Sequence, residues 1–235
     1  NTPRAWYMLR YLNPHTHVWD GVNADYTPES DNLPWSMKPE RKVTIEDVKY
    51  VLSSYYQGTP FNPYARHGET DKRGMYRPIG INRNNFMAIT QLRPYVPAEL
   101  MGVEWISVGS NAFNEAIPMY ANVTATPEYL SNAGKNATTE NFYWANRIIG
   151  ALADAHYATC IAHIERYQKN LAAKGHAMLA AFDAGYQAGG DAHAYLEACN
   201  KHIADEARRQ TDDLLGKVLH TASCEMKNAF SRADA

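Results

Sequence analysis

The residue whose type and position most clearly suggest a chemical role is Arg4, which lies near the start of the chain. Thr2 as a helix N-cap and Pro3 at the first helical position predict a helix over residues 2–12. An arginine in the first turn opposes the helix dipole, which favours anions at that end, so its presence needs another reason. Two reasons stay open: an ion pair with a neighbouring carboxylate, or a site in which the guanidinium binds a carboxylate or a developing oxyanion.

A metal centre is the next possibility, because His15 and His17 form the only close histidine pair. Side chains at i and i+2 of a strand point the same way and could share an ion. The flanking Pro14 and the lack of a third nearby ligand argue against this, since catalytic zinc usually has three protein ligands. We therefore expect no metal and no organic cofactor.

The remaining nucleophiles and carboxylates form no catalytic motif. Each cysteine lies among alanines in an amphipathic stretch, where a thiol is most often a small packing residue. Adjacent acidic residues are typical of solvated helix faces, and no Gly-x-Ser-x-Gly elbow is present. The residues concerned are Cys160, Cys199, Cys224 and the pairs Glu46-Asp47 and Asp212-Asp213.

The composition excludes several classes of partner. A formal net charge of −2 gives no electrostatic footprint for nucleic acid or an anionic membrane. No apolar run reaches the length of a membrane span, and no targeting pattern begins the chain. Three widely spaced cysteines without a CxxC pair favour a reducing compartment, so we expect a cytoplasmic protein.

The first part of the chain mixes short elements with long irregular segments. Residues 13–42 hold many prolines and dispersed aromatic residues, which predicts an ordered loop. A capping box at 44–47 introduces a helix to about residue 56, ended by Gly58. Strands are predicted over 86–93 and 103–108, and shorter ones over 79–83 and 119–124. The apolar start of the strand at 86–93 predicts that both of its faces are covered.

From residue 139 the pattern becomes helical. One helix begins at Phe142, a second covers 158–187, and a third covers 192 to about 232, with Gly189-Gly190 between the last two. The fold class is therefore α+β, with residues 1–135 holding the sheet and 136–235 the helices. The long apolar stripe of the last two helices predicts a homo-oligomer. The strands at 79–108 would expose unpaired edges, so the isolated chain should aggregate.

Several motifs, in this order, carry a resemblance to a known family. The chain resembles the dipeptidase A group of bacterial cysteine-type dipeptidases, which belong to the N-terminal-nucleophile class of hydrolases. The motifs cover most of residues 1–180. They are NTPRAWYMLRYLNP (1–14), VWDG (18–21), YTPES (26–30), KVTIEDVKYVLSS (42–54), RPIGINR (77–83), NFYWANR (141–147) and AKGHAML (173–179).

The resemblance implies an αββα sandwich, with two antiparallel sheets between layers of helices. It also implies a cysteine nucleophile at the N-terminus of the mature enzyme, with its own α-amino group as base. That cysteine would lie upstream, so the chain would be the C-terminal portion of the enzyme, with the N-terminal part and a dipeptide as its partners. Related amidases carry an arginine at the start of the corresponding helix, which makes Arg4 a catalytic residue. Arg83 is a weaker candidate, for substrate binding, because its position at a strand end next to a turn favours a structural ion pair over a site role.

Two other functions remain open. An acylase or amidase of the same class would act on non-peptide amides. A non-catalytic scaffold, in which the long C-terminal helices drive assembly, would need no nucleophile at all.

Overall fold

The computed structural model describes residues 1–131 and 133–229 and divides into two compact units. The first unit comprises residues 1–81, and the second begins at Asn82. Together they combine helices with a small antiparallel sheet, which confirms the α+β class. The division of the chain at residue 135, between a part that holds the sheet and a helical part, stays a prediction.

The first unit contains two helices, α1 (Thr2–Leu12) and α2 (Ile45–Leu52), among long irregular segments. Its core is aromatic rather than aliphatic. The buried residues of that core are Trp6, Tyr7, Trp19, Tyr56 and Ile79. Indole and phenol groups can pack and still donate hydrogen bonds, so they can hold loops that lack ladder hydrogen bonds. The segment 13–42 is therefore ordered, as predicted.

Helix α1 matches its predicted bounds, but the N-cap prediction was wrong. Asn1 occupies the cap position and Thr2 is already helical, because the Asn1 carbonyl accepts hydrogen bonds from the backbone N–H groups of Arg4 (3.0 Å) and Ala5 (3.2 Å). Only Trp6 and Tyr7 are fully buried.

Helix α2 begins with the predicted capping box. The Thr44 hydroxyl accepts a hydrogen bond from the Asp47 N–H, and the Asp47 carboxylate accepts one from the Thr44 N–H. The helix ends at Leu52, well before the predicted end near residue 56. The helix cannot reach residue 56 because Tyr56 has φ = +64°, outside the right-handed helical region, and its N–H donates to Ser54 Oγ (3.0 Å).

The second unit contains a three-stranded antiparallel sheet in the order β1 (Phe86–Leu92), β2 (Gly102–Val108) and β3 (Ile117–Tyr120). The strand predicted over 79–83 is a turn, because Pro78 precedes it and Gly80 lies against the backbone of Ser53. Within the described residues β1 is covered on one face only, which differs from the prediction that both of its faces are covered. β1 is an edge strand in which only Met87 is buried, whereas Phe86 and Leu92 are 59% and 71% exposed.

Three helices complete the second unit: α3 (Phe142–Ala155), α4 (Tyr157–Gly185) and α5 (Ala192–Cys224). The Tyr167 hydroxyl meets the Thr211 hydroxyl at 3.0 Å, and the ring of Phe182 lies 6.3 Å from that of His202. Because residue numbers rise along α4 as those of their partners fall along α5, the two helices are antiparallel and form a hairpin. α5 ends at Cys224, earlier than the predicted end near residue 232. Residue 232 itself lies outside the described residues.

The hairpin packs on one face of the sheet through a close approach and a buried ion pair. A side chain at Gly175 would lie 2.9 Å from Pro118, so glycine allows α4 to approach β3. The Arg93 guanidinium donates to the Asp183 carboxylate (2.6 Å), and the Tyr120 hydroxyl donates to the same carboxylate (2.8 Å). Arg93 is 4% exposed, so this network fixes the end of β1 to α4.

Candidate active site

Arg4 is half-buried in the first turn of α1, on a helix whose first turn contains no acidic residue. Within the described part of the chain, no carboxylate forms an ion pair with it. The structural explanation considered from the sequence, a neighbouring carboxylate, therefore receives no support. A guanidinium held against the helix dipole without a counter-charge is available for an external anion.

The positive charge of Arg4 acts on the buried hydroxyl of Tyr56. Burial raises the pKa of Tyr56 to about 12, and the charge of Arg4 opposes that rise. The Tyr56 hydroxyl donates to the Arg77 carbonyl at 3.0 Å, which anchors it. Tyr56 itself has φ = +64°, a strained conformation for a bulky residue. Such strain persists only where the surroundings enforce it, and it clusters at functional sites.

The segment that follows α2 is held in place by polar contacts and by Gly80. The Gln57 carboxamide oxygen accepts hydrogen bonds from the Ser54 hydroxyl (3.0 Å) and the Tyr55 N–H (2.9 Å). The Gly80 N–H donates to the Ser54 carbonyl (2.8 Å), and a methyl group at Gly80 would lie 2.8 Å from the Ser53 Cα. The glycine of the RPIGINR motif is therefore required by this close backbone approach.

Helix α1 is oriented by side chains that bind α2 and its loops. The Tyr7 hydroxyl donates to the Gln57 carbonyl at 3.2 Å and contacts the Tyr50 hydroxyl at the same distance. Burial raises the pKa of Tyr7 well above its usual range, so it stays a neutral donor. The Trp6 indole donates to the Tyr26 carbonyl at 3.2 Å. These contacts come from the face of α1 that is buried, and they fix the direction in which the first turn presents Arg4.

Asp47 provides the strongest of these links. Its carboxylate accepts hydrogen bonds from both guanidinium nitrogens of Arg41 (2.6 and 2.5 Å) and from the Tyr11 hydroxyl (2.8 Å). The Arg41 guanidinium is the main cause that holds the pKa of Asp47 well below its usual range. The prediction that Glu46-Asp47 is a solvated pair was wrong for Asp47, which is 5% exposed. The capping box was the sequence signal for this role, but the contacts of Arg41 and Tyr11 are tertiary.

Arg83 is exposed in the turn that precedes β1. It belongs to the second unit, whereas Arg4 belongs to the first. No ion pair involves Arg83 among residues 1–131 and 133–229, and the structural explanation considered for it receives no support either.

The histidine and cysteine candidates do not converge. His17 lies 3.5 Å from Asp25 and makes edge-to-face contacts with the rings of Trp19 and Tyr26, so its surroundings are aromatic rather than metal-binding. Across the described residues, no three His, Cys, Asp or Glu side chains are grouped closely enough to hold a metal ion. Burial raises the pKa of the Cys160 and Cys199 thiols, which makes them poor nucleophiles.

A comparison with known protein families identifies the family of the chain. The sequence pattern of peptidase family C69 matches residues 1–170, which include both units' candidate residues and most of the helices. The chain belongs to peptidase family C69. The resemblance to the dipeptidase A group is therefore confirmed.

Individual members of the family support the same assignment. A dipeptidase of Bifidobacterium longum is 44% identical over an alignment that covers 100% of this chain and 51% of that protein. A probable dipeptidase A of Streptococcus pyogenes is 44% identical with 100% and 48% covered. A probable dipeptidase B of Lactococcus lactis is 33% identical with the same coverage. The chain thus spans about half the length of the C69 relatives that it matches.

Among the described residues, no helix combines the length and the apolar character that a membrane-spanning helix requires.

Proposed function

We propose that this chain is the C-terminal part of a dipeptidase and that Arg4 is one of its catalytic residues. The observation that carries the proposal is the position of Arg4, a half-buried guanidinium without a carboxylate partner on a helix fixed by Tyr7, Trp6 and the Asp47 network. The dipeptidase names of the relatives support peptide substrates. The reducing, cytoplasmic location, the homo-oligomer and the aggregation of the isolated chain stay predictions.

The reaction would use a cysteine nucleophile at the N-terminus of the mature enzyme, in the part of the protein outside this chain. Its thiolate would attack the peptide carbonyl carbon, the C–N bond would break, and the leaving amine would take the proton held by the α-amino group. Water would then hydrolyse the thioester and release the first amino acid. Arg4 would contribute positive charge, either to favour the thiolate or to bind the substrate carboxylate.

The sheet supports the αββα sandwich as the complete fold. Successive residues of β1 and β2 alternate between faces, and Phe86 lies opposite Val108 on the face away from Trp105, whose ring packs against His176 of α4. That face presents Phe86 and Leu92 largely to solvent. A second sheet, supplied by the remaining part of the enzyme, would cover it.

Replacement of Arg4 tests the proposal. In the native protein that carries this chain, Arg4→Gln should lower kcat/KM for dipeptides by about 100-fold, since removing one charged donor from a developing anion has an effect of this size. The matched control is Arg10→Gln on the same helix, which removes an exposed ion pair with Asp20 (2.7 Å) and should leave the rate within about threefold. Equal effects of the two substitutions would contradict the proposal.

Two further readouts separate the possible roles. If Arg4 binds the substrate carboxylate, dipeptide amides should be hydrolysed slowly and equally by the wild type and Arg4→Gln. If it favours the thiolate, the pH profile of inactivation by iodoacetamide should move to higher pH in Arg4→Gln. Arg83→Gln should raise KM with little change in kcat if Arg83 binds substrate, and an unchanged KM would remove it from the site.

A further inference from the structure

The α4–α5 hairpin carries a cleft that the dipeptidase proposal does not use. It has a volume of about 470 Å³, within the range of sites for small ligands and short peptides. Its walls come from one face of each helix, and Tyr167 and Leu214 form its apolar floor. We name it the basic cleft, after the side chains that line it. Its polar and charged lining residues include Arg166, Asn170 and Lys174 on α4, and Arg209, Asp213 and Lys217 on α5.

The basic cleft has more positive charge than its own carboxylates neutralise. Lys217 pairs with Asp213 at 2.5 Å, and Arg209 pairs with Glu206 at 2.7 Å. Arg166 and Lys174 form no ion pair with any described residue. The Glu206 carboxylate, whose pKa is lowered first by its hydrogen bond with Arg209, also interacts with the charge of Lys174. Two cations that share one carboxylate leave net positive charge at that end of the cleft, and Arg166 adds a cation without an ion pair, so the surface can bind an external anion and repels the same surface of a second copy.

The positive charges form two sets at the ends of the cleft. Because Tyr167 faces Thr211 across the hairpin, Arg166 lies at the Lys217 end and Lys174 at the Arg209 end. On each helix the two cations are eight residues apart, which corresponds to about 12 Å along the axis. An extended peptide rises about 3.3 Å per residue, so side chains at positions i and i+4 are about 13 Å apart. Two acidic side chains at that spacing would reach both ends.

The middle of the cleft distinguishes a peptide from a polyphosphate. Asp213 and Asn170 lie between the two sets of cations. Asp213 is paired with Lys217, so the middle of the cleft offers no cation to a chain that is charged along its whole length, whereas neutral residues can lie there at no electrostatic cost. The carboxamide of Asn170 can donate to and accept from peptide groups. We infer that the basic cleft binds an extended peptide segment with two acidic residues separated by three neutral ones. This inference holds whether or not the protein is a dipeptidase.

Fluorescence anisotropy with a labelled peptide tests the inference in the native protein. The probe is Glu-Ala-Ala-Ala-Glu-amide with a tetramethylrhodamine, which has no net charge, on its N-terminal amino group, and the same peptide with Gln for Glu is its neutral control. Arg166→Gln and Lys174→Gln should each weaken binding about tenfold, as expected for loss of one charge-assisted hydrogen bond. Lys169→Gln is the matched control, because Lys169 is exposed on α4 outside the cleft, and it should change the Kd less than about twofold.

The outcomes separate the ligand classes. An unchanged Kd in Arg166→Gln and Lys174→Gln, or equal binding of the Gln peptide, would overturn the inference. Pentapolyphosphate provides the second arm: we expect its binding to fall equally in Lys169→Gln and Arg166→Gln, as for non-specific attraction. If instead polyphosphate binding depends on Arg166 and Lys174 while peptide binding does not, the cleft takes phosphate and the peptide assignment is wrong. All three positions are solvent-exposed, so unchanged far-UV circular dichroism should accompany each substitution.

Discussion

Substitution of Asp47 tests whether the network that orients α1 holds the first unit together. The carboxylate accepts hydrogen bonds from Arg41, Tyr11 and Thr44, and it is 5% exposed. Asp47→Asn keeps the shape but removes the charge and directs an amide N–H towards at least one of these donors. Hydrogen bonds to charged groups contribute about 1.5–3 kcal/mol each, but Arg41 is half exposed and its share is screened. We therefore expect the free energy of unfolding to fall by about 2–3 kcal/mol.

The pKa of Asp47 determines how the expected loss of stability changes with pH. The pKa of Asp47 is depressed in the folded protein, chiefly by Arg41, so its contribution is fully present above the unfolded pKa of about 3.9. The contribution is lost as the pH falls below that value towards the folded pKa. The stability difference between wild type and Asp47→Asn should therefore be constant from pH 7 to about pH 5 and shrink below about pH 4.

Urea unfolding followed by tryptophan fluorescence measures this difference, since Trp6 and Trp19 lie in the same core. Asp20→Asn is the matched control, because Asp20 pairs with Arg10 at an exposed position and should contribute less than about 1 kcal/mol. A loss in Asp47→Asn no larger than that of Asp20→Asn would refute the reasoning. So would a difference that is the same at pH 3 and pH 7.

Three other predictions follow from the packing. Gly80→Ala should destabilise the protein by about 3 kcal/mol or more, because the new methyl group overlaps the Ser53 backbone. Gly216→Ala, in open space on α5, should stabilise the protein by up to about 1 kcal/mol. Thermal melts compare the two variants. Arg93→Ala should lower the free energy of unfolding by about 3–5 kcal/mol, and Tyr120→Phe should lower it by only about 1–2 kcal/mol. A larger loss in Tyr120→Phe than in Arg93→Ala would contradict the assigned roles. Peptide mapping after labelling with Ellman's reagent should find Cys224 modified in the folded protein and Cys160 and Cys199 modified only after unfolding.

The elements that the sequence predicted well are those with local signals. The capping box at Thr44, the glycine pair before α5 and the 3.6-residue periodicity of α4 depend on neighbours a few residues away. The start of β1 misled for the opposite reason. A continuous apolar run predicts burial on both faces, but burial depends on which layers pack on the sheet, and among the described residues helix α4 packs on one face only.

The candidate site was predictable only in part. Arg4 could be singled out because a cation in the first turn of a helix conflicts with a local rule, and such conflicts are expected at functional sites. The contacts of Arg4's helix could not be predicted, since Tyr11 reaches Asp47 from 36 residues away and Tyr7 reaches the carbonyl of Gln57. Tyr56 had no local signal at all, because its positive φ is imposed by the turn and by the core around it.

The most direct test of the central claim is the rate of hydrolysis of unblocked dipeptides by the native protein, compared with N-acetylated amino acid amides and with longer peptides. We predict release of free amino acids from dipeptides at a kcat/KM at least about 100-fold higher than for the N-acylated substrates. Preferential hydrolysis of the N-acylated amides would assign the site to an acylase or amidase. No hydrolysis of any of these substrates by the native protein would contradict the account and favour a scaffold built on the helices.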